Sequence, residues 1–150
     1  MALSLEQQEA LINRTMEIAN QAAAEGNRPF AGIFVDENGS IVLEASNTVN
    51  TTNNAAAHAE INLLFLAGKQ LGTRDLSQYI FLSNAASCPM CATALIKARI
   101  TRFYYGAPNE ATMVPDITMD EVLDRVPYPV DVHGGILGAK CSEQIKELSK

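Results

Sequence analysis

Apolar residues recur at three- and four-residue intervals along four long stretches of the chain, and at closer spacing along five short ones. The wider interval is typical of a helix with one buried face, and the closer spacing is typical of a strand. The first long stretch predicts a helix over residues 5–24, because Ser4 and Gln7 have the spacing of a capping box and Gly26 provides a stop.

The remaining elements follow in a regular order. Strands over residues 30–35 and 41–46 flank "DENGS", which is typical of a hairpin turn, and residues 47–54 form a polar loop. Beyond the loop, helices and strands are predicted to alternate: a helix over 55–69 with its stop at Gly68, a strand over 79–83, a helix over 88–100, a strand over 102–106, a short helix over 119–126, a strand over 129–133 and a helix over 135–150.

This order of elements predicts an α/β fold. The two hairpin strands must be antiparallel, whereas strands separated by a helix are joined by crossovers that make them parallel. We therefore expect a mixed five-stranded sheet between helices, with an N-terminal antiparallel hairpin and parallel later strands. A chain of 150 residues can bury a core of its own, so residues 1–150 are expected to form one domain.

Composition and charge narrow the classes of protein. The content of 47% hydrophobic and 19% charged residues is ordinary for a globular protein, and no apolar run approaches the roughly 20 residues that span a bilayer. The first residues show no signal-peptide pattern, and three cysteines do not indicate a secreted disulfide framework, so we expect a cytoplasmic location without membrane association. A net charge of −6 argues against a nucleic-acid partner, because phosphate binding requires a basic surface.

Two of the predicted helices carry chemically active residues near their starts. One contains His58 and Glu60 in "HAE", and the other contains Cys88 and Cys91 in "CPMC". Residues three apart in a helix share a face, and a helix N-terminus favours thiolates. Two thiolates and an imidazole provide three of the four ligands of tetrahedral zinc, and an open fourth position is typical of a catalytic site. Glu60 is close enough in sequence to reach a water there without being a ligand.

Each of these residues also has a plainer interpretation. A single histidine in an alanine-rich helix is usually a core or surface residue, and an isolated C-x-x-C pair is also typical of thiol oxidoreductases. An oxidoreductase would leave His58 and Glu60 without a role. The combination of H-x-E with a later C-x-x-C at a strand-to-helix junction is the signature of zinc nucleobase deaminases.

The sequence resembles the cytidine/deoxycytidylate deaminase superfamily, in the branch with guanine deaminases, yeast-type cytosine deaminase and bacterial tRNA adenosine deaminases. The resemblance extends over roughly residues 5–140 and rests on four segments. These are "NRPFAGIFVDENGSIVLEASNTV" for the first hairpin, "NAAAHAEINLL" for the "HAE" helix, "SCPMCATALIKARITRFYYGA" for the "PCxMC" helix and its strand, and "VDVHGGILGAKCSE" for the late "GG" segment. The resemblance implies a three-layer α/β/α fold of the cytidine-deaminase type.

The resemblance also implies roles for individual residues. His58, Cys88 and Cys91 would bind Zn2+, and Glu60 would transfer protons during the reaction. Four further residues would contact the substrate: Asn47 through a hydrogen bond to the ring, Ala59 through its backbone N–H to a ring carbonyl, Phe30 as a wall of the pocket, and Ala86 beside the leaving amino group.

The chain departs from the family pattern in two places. It has Ala86-Ser87 where the family usually has Glu-Pro before the first cysteine, and Ala31-Gly32 where Gly-Ala is usual. We expect Ser87 to cap the following helix in place of the proline, so that zinc binding is retained. Cys141 matches no ligand position and is expected to be a small buried apolar residue.

The function implied by the resemblance is hydrolytic deamination by zinc-activated water, with release of ammonia. The expected substrate is a free aminated purine or pyrimidine base or nucleoside, with a guanine-type ring favoured and a cytosine-type ring as an alternative. A tRNA adenosine deaminase is a further alternative, but the last residues "KCSEQIKELSK" lack the basic aromatic tail usual in those enzymes. A zinc-binding scaffold without turnover would not need Glu60. The resemblance also implies a homodimer.

Overall fold

The computed structural model describes residues 2–108 and 114–149 of the chain. Its helices and strands alternate much as the hydrophobic pattern predicts. In chain order they are α1 Leu5–Ala24, β1 Ala31–Val35, β2 Ile41–Ser46, α2 Val49–Thr52, α3 Ala59–Gln70, β3 Ile80–Ala85, α4 Pro89–Lys97, β4 Arg102–Ala107, α5 Met119–Leu123, β5 Asp131–His133 and α6 Gly138–Leu148.

The strands form one five-stranded sheet in the order β2-β1-β3-β4-β5. Strand β1 is antiparallel to both β2 and β3, whereas β3, β4 and β5 are parallel to one another. The predicted mixed sheet with an N-terminal antiparallel hairpin and parallel later strands is therefore confirmed. Because β3 and β4 are parallel, their carboxyl ends lie side by side at the same end of the sheet. Ligand sites of open α/β sheets lie just beyond the carboxyl ends of the strands.

Helices cover both faces of the sheet, because its central strands are apolar on both sides. Ile33, Ile80 and Tyr104 pack with residues of α1 and α6 on one face. Phe34, Phe81 and Phe103 pack under α3, α4 and α5 on the other. The three phenylalanines form a row of edge-to-face contacts, with ring centroids 6.1 Å apart in each pair. The predicted three-layer α/β/α arrangement is confirmed.

Two predicted boundaries around α3 are wrong. The helix begins at Ala59 and not at residue 55, because Asn54 accepts hydrogen bonds from the backbone N–H groups of Ala56 and Ala57 and holds this segment in turns. It also continues past Gly68 to Gln70, since a single glycine weakens a helix without ending it. The predicted loop over residues 47–54 contains the short helix α2.

Smaller differences occur at other element ends. Helix α4 ends at Lys97 and not at residue 100, because Arg99 adopts a left-handed conformation with a φ of 69°. Strand β3 reaches Ala85, two residues beyond the predicted end. Helices α5 and α6 and strands β1 and β5 are each shorter than predicted. The predicted capping box of α1 is confirmed, since Ser4 and Gln7 exchange both hydrogen bonds.

Helix α6 lies unusually close to β4. A Cβ atom built on Gly106 would lie 2.4 Å from Cys141 Sγ, so only glycine fits at this position. Cys141 is fully buried in this contact, as predicted for a small apolar residue. Among the described residues, no helix combines the length and apolar content that a membrane span requires.

Candidate metal centre and active site

The candidate site is built where the N-termini of α3 and α4 meet. His58 is the N-cap residue of α3 and Cys88 is the N-cap residue of α4, and both have extended backbones. Neither side chain forms a capping hydrogen bond to its own helix. Both side chains are therefore available for contacts between the two helices.

The side chains of His58, Cys88 and Cys91 form one cluster. His58 Nδ1 lies 3.5 Å from Cys88 Sγ and 3.5 Å from Cys91 Sγ. All three potential ligand atoms lie within 4.8 Å of one another. The structure thus brings together residues that are distant in the sequence, since His58 and Cys91 are 33 positions apart.

The electrostatics of the cluster favour a thiolate at Cys88. Hydrogen bonds from Cys91 and then from His58 lower the pKa of the Cys88 thiol to about 4. The contact with Cys88, together with burial, raises the pKa of Cys91. The same contact raises the pKa of His58. Two sulfurs and one imidazole nitrogen at these positions are the donor set that zinc prefers, and they leave one tetrahedral position for another ligand.

Glu60 lies in the first turn of α3, two residues after His58. It is only 8% exposed, and this burial is the main cause that raises the pKa of its carboxyl group. The hydroxyl of Ser87 faces the carboxyl and partly opposes the effect of burial. The three-residue cluster contains no carboxylate from the described part of the chain. A carboxyl group with a raised pKa near a metal centre is suited to proton transfer near neutral pH.

The cluster borders a cleft of about 870 Å³. His58, Glu60 and Cys88 line it, whereas Cys91 is fully buried behind them. The cleft also contains the four residues predicted to contact a substrate: Phe30, Asn47, Ala59 and Ala86. Its volume lies in the range of sites for small molecules.

Two of these residues present hydrogen-bond donors at the cleft. Asn47 accepts a hydrogen bond from Val49 N at 3.0 Å through Oδ1, and its Nδ2 group forms none with the described residues. The backbone N–H of Ala59 is in the first turn of α3, where no preceding carbonyl is in reach. Phe30 contributes an apolar wall, with the guanidinium carbon of Arg28 5.3 Å from its ring centroid.

Several residues of this cleft are not predicted from the sequence. Asn84 lines the cleft and is fixed by two hydrogen bonds. Its side chain accepts one from Ala31 N and donates one to Pro29 O. Residues of α6, including Ile145 and Lys146, form another part of the cleft lining. Only the polar residue Asn84 within an apolar strand gives a sequence signal, since the others reach the cleft through long-range packing.

The prediction that Ser87 caps α4 is wrong. The N-cap position belongs to Cys88, so Ser87 lies one residue too early to bond to the free N–H groups of the helix. Its hydroxyl is buried and has no hydrogen-bond partner among the described residues. The helix start is nevertheless formed, with Pro89 at its first position.

Comparison with protein families identifies the class. Residues 5–107 match the family model described as the cytidine and deoxycytidylate deaminase zinc-binding region. The chain therefore belongs to the cytidine and deoxycytidylate deaminase family, as the resemblance predicts. The prediction of an enzyme that hydrolyses C–N bonds is confirmed with it.

Similar proteins of the family have different names. The chain is 33% identical over 102 residues to guanine deaminase of Bacillus subtilis, with 67% of this chain and 65% of that protein covered. It is 31% identical over 135 residues to the probable cytosine deaminase of Schizosaccharomyces pombe, with 83% and 82% covered. It is 27% identical over 138 residues to the tRNA-specific adenosine deaminase of Haemophilus influenzae, with 91% and 80% covered.

The chain does not span every relative in full. It aligns over 93% of its own length with the tRNA(Ile)-lysidine synthase of Deinococcus radiodurans, but covers 24% of that protein, at 28% identity. Among solved structures, guanine deaminase from Nitrosomonas europaea superposes with a TM-score of 0.80 at 23% identity, covering 93% of this chain and 83% of that one. This structural likeness supports the fold.

Proposed function

We propose that the protein is a zinc-dependent hydrolytic deaminase of a free aminated purine or pyrimidine base or nucleoside, with a guanine-type ring preferred. The observation that carries the proposal is the joint opening of the His58–Cys88–Cys91 cluster and the buried Glu60 onto one cleft. A thiol oxidoreductase would need the two cysteines but neither His58 nor Glu60.

His58, Cys88 and Cys91 would hold the zinc ion, and their donor atoms fit it in type and spacing. When bound there, zinc supplies a Lewis acid that lowers the pKa of a water molecule towards neutrality. We expect purified protein to carry about one zinc per chain. Native mass spectrometry would measure this, and a metal-free protein with a Cys88–Cys91 disulfide would contradict the proposal.

Glu60 would move the protons. Its carboxylate would take one proton from the attacking water and pass it to a ring nitrogen. It would then take the second proton, from the hydroxyl group now on the ring carbon, and give it to the amino group, which leaves as ammonia. Burial raises the pKa of Glu60, which makes the neutral form easier to reach than in an exposed carboxyl group and suits a residue that both takes and gives protons.

The remaining walls would orient the ring. Asn47 Nδ2 and the N–H of Ala59 can each donate to an acceptor on the ring, and Phe30 can pack against an apolar edge. Ala86 would border the leaving amino group. Donors fixed by a helix start and a turn hold the ring without reorganisation, which favours the reactive orientation.

A screen for ammonia release would test the proposal and identify the substrate. The panel should contain aminated purines, pyrimidines, their nucleosides and triazines, with a tRNA anticodon stem-loop included. Release from a free purine or pyrimidine supports the proposal, and release from guanine in particular supports the preferred ring. Release from none of these compounds would overturn it.

A tRNA adenosine deaminase is the second candidate, since relatives with that name match most of the chain. The net charge of −6 favours a small substrate. We therefore expect tRNA binding to be weak and to disappear at moderate salt concentration. Tight binding that persists at physiological ionic strength would reverse this ranking.

Assembly and location are also proposals. We propose a homodimer in the cytoplasm, with residues 1–150 as a single domain. Phe65 on α3 and Met90 on α4 support a dimer, because these apolar residues are 67% and 39% exposed on the two helices whose starts form the cluster. Light scattering after gel filtration would measure the mass in solution, and a monomer at micromolar concentration would contradict the dimer.

A further inference from the structure

Asn84 is a polar residue near the end of the apolar strand β3, and the proposed reaction gives it no role. Its exposed fraction is 0%, although its side chain lines the cleft. A buried amide is tolerated in a fold only when its donors and its acceptor are hydrogen-bonded. The hydrogen-bond partners of Asn84 therefore indicate what the residue does.

The amide of Asn84 joins β3 to the start of β1 and to α6. Oδ1 accepts a hydrogen bond from Ala31 N at 3.1 Å, and Nδ2 donates to Pro29 O at 2.9 Å and to Gln144 Oε1 at 3.2 Å. An amide nitrogen carries two hydrogens, so both are used within the protein and neither is left to donate to a ligand. This arrangement favours a role in holding the cleft over a role in binding the substrate.

The two backbone groups that bind Asn84 lie on either side of Phe30. Pro29 O and Ala31 N belong to its two neighbours in the chain, so Asn84 fixes the backbone from which the Phe30 ring projects. The carbonyl of Phe30 in turn accepts a hydrogen bond from Asn47 N at 3.0 Å. One buried amide therefore holds two of the residues that are proposed to contact the substrate.

Gln144 extends this set of bonds to helix α1. Its Nε2 donates to Met16 O at 2.7 Å and to Asn20 Oδ1 at 2.9 Å, while its Oε1 accepts from Asn84. The next residue of α6, Ile145, lines the cleft. The two amides thus connect the α6 part of the cleft lining to the start of β1.

We propose that Asn84 is a positioning residue that sets the shape of the cleft around the substrate ring. It acts through Phe30 and Asn47, and not through the metal ligands or Glu60. The inference rests on the proposed function, because Phe30 and Asn47 contact a ring only in the proposed site. Loss of the amide should weaken the binding of the ring and raise KM, while proton transfer by Glu60 is largely retained.

A double-mutant cycle tests whether Asn84 acts through Phe30. Asn84→Ala should raise KM by about 10-fold or more, with kcat within about three-fold of wild type. Phe30→Ala should also raise KM, and the double variant should raise it by clearly less than the product of the two single effects, because both changes disturb the same wall. A double variant that reaches this product, or an unchanged KM in Asn84→Ala, would overturn the inference.

Two further variants separate positioning from general stability. Gln144→Ala removes one of the three hydrogen bonds of Asn84, so its KM should lie between those of wild type and Asn84→Ala. Thr15→Ala shortens a fully buried side chain of α1 that is outside the cleft lining, and should lower Tm while KM and kcat stay within about two-fold of wild type. An equal rise of KM in Thr15→Ala and Asn84→Ala would show that lost stability explains the effect.

Amide hydrogen exchange, followed by NMR, gives a measurement that needs no substrate. In Asn84→Ala the N–H groups of Ala31 and Asn47 should exchange at least about 10-fold faster than in wild type. Ile33, which pairs with both β2 and β3, should keep its rate. Equal acceleration at all three positions, or an unchanged rate at Asn47, would overturn the inference.

The exchange measurement also covers two possible failures. If Asn84→Ala does not fold, Gln144→Ala should show a smaller acceleration at the same two N–H groups, and no acceleration there would overturn the inference. If the ammonia screen fails while the expected exchange pattern is found, the proposed function is refuted, but the hold of Asn84 on Phe30 and Asn47 is supported.

Discussion

Two pairs of helices in this molecule begin in different ways. At α1 and α5 the N-cap side chains of Ser4 and Thr118 accept hydrogen bonds from the backbone of their own helix. At α3 and α4 the N-cap residues are His58 and Cys88, and neither forms such a bond. The first pair of helix starts stabilises the fold, whereas the second pair directs its side chains to a shared cluster.

This difference shows how the fold accommodates a reactive site. A missing side-chain cap costs about 1 kcal/mol for each helix, but it leaves backbone N–H groups free to stabilise negative charge. Thiolate formation at Cys88 and the proposed ligand binding at Ala59 would both use such a position. The variants below test this division between capping and chemistry, in order of decreasing effect.

The largest effect should come from Glu60→Gln. Gln has nearly the same size but cannot exchange a proton at neutral pH, so turnover should fall by about 10⁴-fold, the upper end for a general acid–base group. Zinc content and Tm should be retained, because Glu60 is not a ligand in the proposed site. Ammonia release, metal analysis and thermal melting measure these, with Glu143→Gln on the exposed side of α6 as a control. Near-normal turnover would refute the proton transfer, and loss of zinc would make Glu60 a ligand.

The next effect should come from Cys88→Ala, which removes the N-cap side chain of α4. Zinc content should fall well below one ion per chain, and Tm should fall by several degrees, since metal binding and folding are coupled. Cys141→Ala removes the same atom from a buried position outside the cluster and should keep its zinc. If Cys88→Ala retains both zinc and Tm, then α4 does not begin with a metal ligand.

A smaller effect is expected at a helix start that serves stability alone. Ser4→Ala removes one half of the capping box of α1 and should cost about 1 kcal/mol, which corresponds to a decrease in Tm of about 2–4 °C. Turnover should be unchanged. Ser40→Ala, at an exposed serine whose side chain forms no hydrogen bond with the described residues, is the matched control for thermal melting. An unchanged Tm in Ser4→Ala would contradict the claim that the capped helix starts stabilise the fold.

The smallest effect concerns a surface ion pair on α1. Arg14 donates to Glu44 through Nε at 2.7 Å and Nη2 at 2.9 Å, and this contact lowers the pKa of Glu44. The contribution to stability is complete above the unfolded-state pKa of about 4.3 and disappears as pH falls through the lower folded-state value.

Glu44→Gln should therefore lower Tm by about 1–3 °C at pH 7 and by less at pH 3. Melting curves at the two pH values measure this difference. Glu17→Gln, which removes the more exposed partner of Arg14, is the control and should have a smaller effect. A decrease in Tm of the same size at both pH values would show that lost packing, and not charge, explains the change.

The sequence predicts the sheet and the chemical cluster well, because both depend on local patterns. Hydrophobic alternation marks each strand, and the short motifs around His58 and Cys88 fix the helix starts that carry them. The start of α3 is predicted wrongly because alanines 55–57 have high helix propensity, while the turn formed by Asn54 prevails.

The cleft wall formed by α6 cannot be predicted in the same way. Lys146 and Ile145 reach the site because Gly106 and Cys141 allow α6 to approach β4 closely. A local sequence pattern does not predict a contact between elements that are so far apart in the chain.

The position of β2 at the edge of the sheet has a consequence for association between molecules. In the described part of the chain, one side of this strand has no neighbouring strand, and such an edge can pair with another chain and start aggregation. Glu44 lies in the middle of the strand, and its pairing with Arg14 keeps a charged side chain fixed there. An incoming strand would have to bury that charge, so the ion pair protects the edge against aggregation in addition to its small effect on stability.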